Sequence, residues 1–271
     1  MTAPHVDGSL LDELLQVATT ATERAAALQV EGLAVARAEI ATKSTSTDMV
    51  TEIDRSSEAL IVRTIHDARP DDGVLGEEGS QEAGTSGVRW VIDPLDGTTN
   101  YLYGHPGFAV SVAAEVDGAG VVGVVNDPLH GDVFQASVGR GAFRNGIPIR
   151  RSDHADVATA LVATGFAYDP GRRRRQAQVV ASILGEIRDI RRMGAASVDL
   201  CSVACGRVDA YYERGLGPWD WAAGLLIATE AGAQVGGLDG GPPTAGSVLA
   251  APPALFEALL ALLSAAGAAK A

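Results

Sequence analysis

Residues 90–101 read Trp-Val-Ile-Asp-Pro-Leu-Asp-Gly-Thr-Thr-Asn-Tyr, and no other stretch limits the fold as tightly. An apolar run from Trp90 to Ile92 stops at Asp93, a second acid stands at Asp96, and Gly97 opens a turn carrying Thr98 and Thr99. A short buried strand ending in acids and a Gly-Thr-Thr turn presents polar groups at a strand's carboxyl end, where open α/β sheets bind ligands. Carboxylates are hard oxygen ligands suited to Mg²⁺, an ion held by a few of them together with substrate phosphate oxygens. The same spacing also fits a strand running into a polar turn, with Asp93 as a helix cap, because Asp-Pro and Asp-Gly are common turn dipeptides. Other acids must converge on the segment before a metal becomes the better account.

Three further segments supply such acids. Gly76-Glu77-Glu78-Gly79 follows the apolar pair Val74-Leu75. Asp48, Glu52 and Asp54 crowd an expected helix start, and Asp220 in Pro218-Trp219-Asp220-Trp221 precedes the small residues Ala222, Ala223 and Gly224. Taken singly, an acid at a helix start is a cap. In this order, however, the segments resemble the inositol monophosphatase family of Mg²⁺-dependent, lithium-sensitive sugar phosphatases. Residues 90–101 fill that family's motif of an apolar strand followed by Asp-Pro-(Ile/Leu)-Asp-Gly-Thr-x-Asn. Trp219-Asp220 through Glu230-Ala231-Gly232 matches its second motif. The Gly-Glu-Glu segment, the Asp48 to Asp54 segment, residues 193–201 and residues 209–213 match as well, so the resemblance runs from about residue 43 to residue 252.

Charge and composition narrow the function classes. The net charge of −13 argues against nucleic acid as the main partner, since binding to it rests on Lys and Arg neutralising phosphates. A crowd of acids would also repel an anionic phosphate ester unless cations intervened, which is a reason for a divalent metal independent of the resemblance. No apolar run reaches the roughly 18 residues of a membrane span, and residues 1–10 show no signal-peptide pattern. Cys201 and Cys205 lie one helical turn apart in an apolar segment, as buried thiols would. A cytoplasmic protein is expected. The basic run Arg172, Arg173, Arg174 and Arg175 reads as a solvated helix start, with an anion or RNA contact as its alternative.

Helical and strand patterns alternate, which predicts layered α/β packing. Helices are expected over about 9–38 (capped by Ser9), from 51 onward, and over 176–187, 195–204, 221–231 and 254–263. Strands are expected over 88–93, 108–116, 121–126, 132–137, 157–166, 188–192 and 208–213, with a Gly/Pro turn region at 236–246. The resemblance sharpens this to a mixed α/β fold, the α-β-α-β-α sandwich of inositol monophosphatases and fructose-1,6-bisphosphatases. An N-terminal α+β half (1–150) would carry the metal motifs, and a C-terminal α/β half (151–271) would carry Glu213 and Asp220, in one compact unit.

The resemblance also implies a chemistry: hydrolysis of myo-inositol 1-phosphate to inositol and phosphate. Glu77, Asp93 and the Leu95 carbonyl would hold a first Mg²⁺. Asp93 would bridge to a second ion, completed by Asp96 and Asp220, with a third, weaker ion near Glu77. Water on the first metal would attack, held by Thr98, which Asp54 polarises, so that Asp54, Thr98 and Glu77 form the catalytic set. The Gly97 and Thr98 amides would seat the phosphate, Glu213 would accept a substrate hydroxyl, and Gly194, Ala195 and Ala196 would let the ring approach. Lys43 is a weaker candidate near the metals, and His105 reads as structural. A homodimer is implied. Tyr101 and Trp221 stand where phenylalanine and a smaller apolar residue are commoner, which leaves the leaving group open. Histidinol phosphatase, or another small sugar or nucleotide phosphatase of the same superfamily, is the nearer alternative, and an RNA- or transcription-associated factor the more distant one.

Overall fold

The computed structural model describes residues 6–40, 47–244 and 246–271, so Lys43 lies outside the described residues. Two long helices come first, α1 (Gly8–Ile40) and α2 (Thr47–Ala68). Leu11, Leu14, Ala18, Ala21 and Ala25 recur at helical spacing on α1, and Ile61 and Ile65 do so on α2; all are buried. The cap of α1 is Asp7 and not Ser9: the Asp7 carboxylate accepts the Ser9 hydroxyl at 2.7 Å and the Ser9 amide at 3.5 Å. A carboxylate one residue outside the helix reaches the free amides that Ser9, already inside it, cannot.

The first sheet holds β1 (Gly73–Gly76), β2 (Gln81–Glu82), β3 (Val88–Asp96), β4 (Ala109–Val116), β5 (Ala119–Asp127), β6 (Asp132–Ser137), β7 (Ala142–Arg144) and β8 (Ile147–Ile149), in the order β2-β1-β3-β4-β5-β6-β7-β8. A short helix, α3 (Thr98–Tyr103), joins β3 to β4. From β3 onward the sheet is antiparallel, but β1 runs parallel to β3 with Gly76 beside Ile92. The second sheet holds β9 (Leu161–Thr164), β10 (Asp189–Arg191), β11 (Ala210–Glu213), β12 (Gln234–Gly236) and β13 (Val248–Ala251), in the order β10-β9-β11-β13-β12. Its helices are α4 (Pro170–Ile183), α5 (Ala196–Ala204), α6 (Pro218–Glu230) and α7 (Pro253–Ala265).

Five layers result. On one face of β3, Trp90 and Ile92 pack with Leu14, Ile61 and Ile65 of α1 and α2. On the other face, Val91 packs with Leu200 of α5 and Ala223 and Ile227 of α6, a group that also takes in Tyr211 and Ala250 of the second sheet. Val162 and Leu249 on the far face of that sheet pack with Val179 of α4 and Leu255 and Leu259 of α7. The chain is thus an α-β-α-β-α sandwich.

Several boundaries differ from the sequence pattern. The expected strand over 157–166 opens instead with a 3-10 turn, Val157–Thr159, held by the Asp156 side chain on the Ala158 amide. The helix expected from residue 176 starts at Pro170, capped by Asp169, whose carboxylate takes the Arg172 amide at 2.7 Å. That places the four arginines in its opening turns, where a pattern of apolar residues gives no signal. Likewise α6 begins at Pro218, the favoured first helical residue, and Ala195 is the cap residue of α5 and not its first turn. The turn region at 236–246 overlaps the end of β12.

Candidate active site

Each acid of the site is delivered by a specific piece of backbone. Because β1 and β3 are parallel, their carboxyl ends lie side by side, and the Glu77 amide donates to the Ile92 carbonyl at 3.2 Å. Glu77 therefore emerges beside Asp93. Asp93 and Asp96 should point to opposite faces in a regular strand, since side chains alternate. The β3–β4 register shifts between them, from Asp93 opposite Ser111 to Asp96 opposite Ala109. One extra residue on β3 forms a bulge, and Pro94, with no amide to pair, lies within it. The bulge turns Asp96 to the face that already carries Asp93.

From the far side, Asp220 sits in the first turn of α6 and accepts the Gly217 amide at 2.6 Å. Carboxylate oxygens of Glu77, Asp93 and Asp220 all lie within 4.8 Å of one another. Asp96 takes the Ser197 amide at 2.7 Å and its hydroxyl at 2.6 Å at the start of α5. Gly97 caps α3 at φ 89, and a Cβ there would lie 2.8 Å from the Gly107 carbonyl oxygen, so only glycine makes the turn. Asn100 of α3 donates to Gly107 at 2.6 Å and to Met193 at 2.7 Å, tying the turn to the Gly194 segment.

The electrostatics are those of buried acids that raise one another's carboxyls. Burial, and then the charges of Glu78, Glu77 and Glu58, push the Asp54 carboxyl up to about 8. Burial and Asp220 push Asp96 up to about 7. Burial raises Asp220 to about 6, with Glu77 adding to it. Asp93 is held well above the carboxylate range by burial and by Asp96, Glu77 and Asp220. Glu77 is raised by desolvation and by Asp96 although it opens to solvent. One oxygen of Asp93, Oδ2, is buried with no hydrogen-bond partner. An all-oxygen donor set with an orphaned buried carboxylate oxygen fits Mg²⁺.

Glu77, Asp93, Asp96 and Asp220 line a cleft of about 450 Å³, within the range of small-molecule sites. Leu95, Gly97, Thr98, Gly194, Ala196 and Glu213 line it too. Glu213 ends β11 and accepts the Tyr211 hydroxyl at 2.7 Å; burial chiefly lifts it to about 7. Ala195 is buried behind the wall. Asp54 is 6% exposed and is not a lining residue. The Thr98 hydroxyl donates to the Leu95 carbonyl at 3.1 Å. His105 is exposed, its Nδ1 at 2.6 Å from the Pro106 carbonyl oxygen.

The sequence pattern gave no role to four features that the structure brings in. Glu58, four residues after Asp54 on α2, faces the Glu77 turn, and that helical spacing was the signal. Ser197 and Asn100 lie inside the quoted motifs without an assigned task. Asp199 is 1% exposed, and burial and Glu213 push its carboxyl well up. Arg172, read as part of a solvated face, lines the cleft with Arg192 and Arg214, whereas Arg173, Arg174 and Arg175 are exposed.

Comparison with known proteins places this geometry among relatives. The profile of the inositol monophosphatase family matches residues 10–268. An inositol-1-monophosphatase of Mycobacterium leprae (strain TN) is 46% identical over 232 residues, covering 82% of this chain and 80% of the relative. A protein named Nus factor SuhB from Escherichia coli (strain K12) is 39% identical over 252 residues, covering 92% and 94%. Among solved structures, the inositol monophosphatase of Anabaena (Nostoc) sp. PCC 7120 superposes with a TM-score of 0.83 at 35% identity, over 94% of this chain and 96% of that one.

Proposed function

The chain belongs to the inositol monophosphatase family and is a phosphatase, and from that premise we propose that it hydrolyses myo-inositol 1-phosphate with the help of Mg²⁺. The observation that carries the proposal is the meeting of Glu77, Asp93 and Asp220 within 4.8 Å, with an oxygen of Asp93 unpartnered. Glu77, Asp93 and the Leu95 carbonyl would hold one ion, and Asp93, Asp96 and Asp220 a second, with a third near Glu77. When bound, two such ions neutralise the acids and stabilise the attacking and leaving oxygens of an in-line displacement.

The chain's own groups do the rest. The Thr98 hydroxyl, which donates to the Leu95 carbonyl, would be free to hold the attacking water if that carbonyl were engaged by a cation. Asp54 would take up the proton through Thr98 once bound cations offset the buried acids that hold its carboxyl at about 8 in the metal-free protein. Amides of Gly97 and Thr98 bind the phosphate. Glu213 accepts hydroxyls of the ring, which approaches over Gly194 and Ala196, with Ala195 buried beneath them.

The arginines lining the cleft support a polyol over histidinol phosphate, because Arg172, Arg192 and Arg214 would repel an ammonium. A net charge of −13 favours a small substrate over RNA, although relatives named Nus factor SuhB make RNA binding worth measuring. A cytoplasmic homodimer completes the proposal, and no helix among the described residues is long and apolar enough to cross a membrane. Initial rates on inositol 1-phosphate, histidinol phosphate, fructose bisphosphate and adenosine bisphosphate, with Mg²⁺ and with EDTA, test it. Inositol 1-phosphate is expected to give the highest kcat/KM, and only with Mg²⁺. Metal-independent turnover, or a preference for histidinol phosphate, would overturn it.

A further inference from the structure

We propose that Glu58 is a positioning residue that holds Glu77 in place to receive a cation, without itself being a ligand. The proposal rests on the metal-dependent function above and extends it to a residue outside the motifs. Asp54 and Glu58 are four residues apart on α2 and share a face. Glu58 is 3% exposed. Its two oxygens serve one turn: Oε2 accepts the Glu78 amide at 2.9 Å and Oε1 the Ser80 amide at 2.9 Å.

The same turn is closed by the Gly76 amide on the Ser80 carbonyl at 2.7 Å and anchored to β3 by the Glu77 amide on the Ile92 carbonyl. Glu77 thus has its own amide fixed by the sheet and the next amide fixed by Glu58. That double anchor leaves its side chain directed at Asp93 and Asp220. Gly76 belongs to the same arrangement, because a Cβ there would overlap the Glu58 carboxylate. Helix α2 approaches the strand this closely only over a glycine.

A charged acceptor at this point has a cost, since its charge adds to the repulsion on Asp54, Glu77 and Glu78. A turn needing only two acceptors could find neutral ones. An anion set just behind the ligands adds to the field that draws in a divalent cation, and its charge-assisted bonds hold the turn more firmly than neutral ones. The Arg55 contact with Glu78, 3.8 Å long and largely exposed, is too weak to replace it.

The experiment titrates EDTA-stripped full-length protein with Mg²⁺ by calorimetry, and follows melting temperature and phosphatase rate against Mg²⁺ concentration. The variants are Glu58→Gln, Gly76→Ala and the two combined. In Glu58→Gln an NH₂ group faces one of the two amides, so the turn loosens. Mg²⁺ affinity is expected to fall about 10- to 100-fold, as when an outer-shell partner is lost, at unchanged stoichiometry. Raising Mg²⁺ should restore kcat, the KM for the ester should stay put, and the metal-free protein should melt no lower than wild type.

Gly76→Ala displaces the carboxylate by a different route and should weaken Mg²⁺ in the same way, which keeps the test valid if Glu58→Gln does not fold. The double variant should lose little more than the worse single variant, as residues acting on one contact do. Unchanged Mg²⁺ affinity with a lowered metal-free melting temperature would show a purely structural residue and overturn the proposal. Loss of one equivalent of Mg²⁺ would make Glu58 a ligand and overturn it equally. Wild-type protein that binds no Mg²⁺ at all would instead remove the metal-dependent function on which it stands.

Discussion

Replacing Asp54 by Asn should separate stability from catalysis. In the metal-free protein the Asp54 carboxyl is raised from 3.8 to about 8 by burial and by Glu78, Glu77 and Glu58. A group with a raised acid pKa in the folded state binds its proton more tightly there than in the unfolded chain. Stability is therefore intact below about pH 4, falls as pH rises through the window, and is lowest above about pH 8. At pH 7 the difference corresponds to about 4 kcal/mol as a ceiling, at about 1.4 kcal/mol per tenfold. Asn has the same shape and no charge but must still bury an amide, so roughly half of that, about 2 kcal/mol, is expected back. For a chain of this size that raises the melting temperature by about 4–8 °C.

The assay is thermal melting in EDTA from pH 5 to pH 9 at fixed salt. The variant should melt above wild type at pH 8, match it near pH 5, and show the shallower pH dependence. Turnover with Mg²⁺ should fall at least about 100-fold, because the proton acceptor proposed behind Thr98 would be gone. A variant that melts at or below wild type at pH 8, with the same pH slope, would refute the electrostatic account. Retained activity would leave that account standing and move the base elsewhere.

Further outcomes follow from the same geometry. Asp93→Asn should abolish turnover, keep or raise the metal-free melting temperature, and reduce the stabilisation that Mg²⁺ gives; wild-type-like activity would end the shared-ligand assignment. Li⁺ in the millimolar range should inhibit where Na⁺ at equal ionic strength does not, and the effect should depend on Asp220; equal inhibition by Na⁺ would reduce it to screening. Glu213→Gln should lower kcat/KM for inositol 1-phosphate about ten- to a hundredfold, the worth of a hydrogen bond to a charged group, and spare glycerol 2-phosphate. Equal losses on the two substrates would move Glu213 out of contact with the ring.

What could be read from the residues alone was the part written locally. The strand Trp90 to Ile92, its terminal acids and the Gly97 turn are contiguous, so their pattern survives without knowledge of the partners. The layered α/β class followed from alternating periodicities in the same way. The bulge that puts Asp93 and Asp96 on one face was not legible, because it depends on the register with β4 and not on β3 alone. Short strands such as β7 and β8, three residues each, have too few side chains for a period to show. Arg172 was misplaced for a similar reason: its neighbours in sequence are exposed, while its contact with the cleft comes from residues far along the chain. Glu58 was missed because nothing in the Asp48 to Asp54 motif extends to it, and its partners are amides, which have no sequence identity.

Neither sheet holds a complete site. Glu77, Asp93 and Asp96 come from the first sheet, whereas Asp220 and Glu213 come from α6 and from β11 of the second. Their meeting is held by polar ties across the middle layer, Asp96 to Ser197 and Asn100 to Met193. Burial first, and then the charges of neighbouring acids, raise the Asp96 and Asp220 carboxyls in the metal-free protein, and both oppose the packing that brings them together. A cation held by acids from both sides, as proposed, would bind only when the layers are packed, and by mass action it would stabilise that packing. Cation binding and closure of the sandwich would then be one coupled equilibrium. The cross-layer ties should accordingly be weakest, and exchange their amide hydrogens fastest, in EDTA, with protection at Ser197 returning as Mg²⁺ is added.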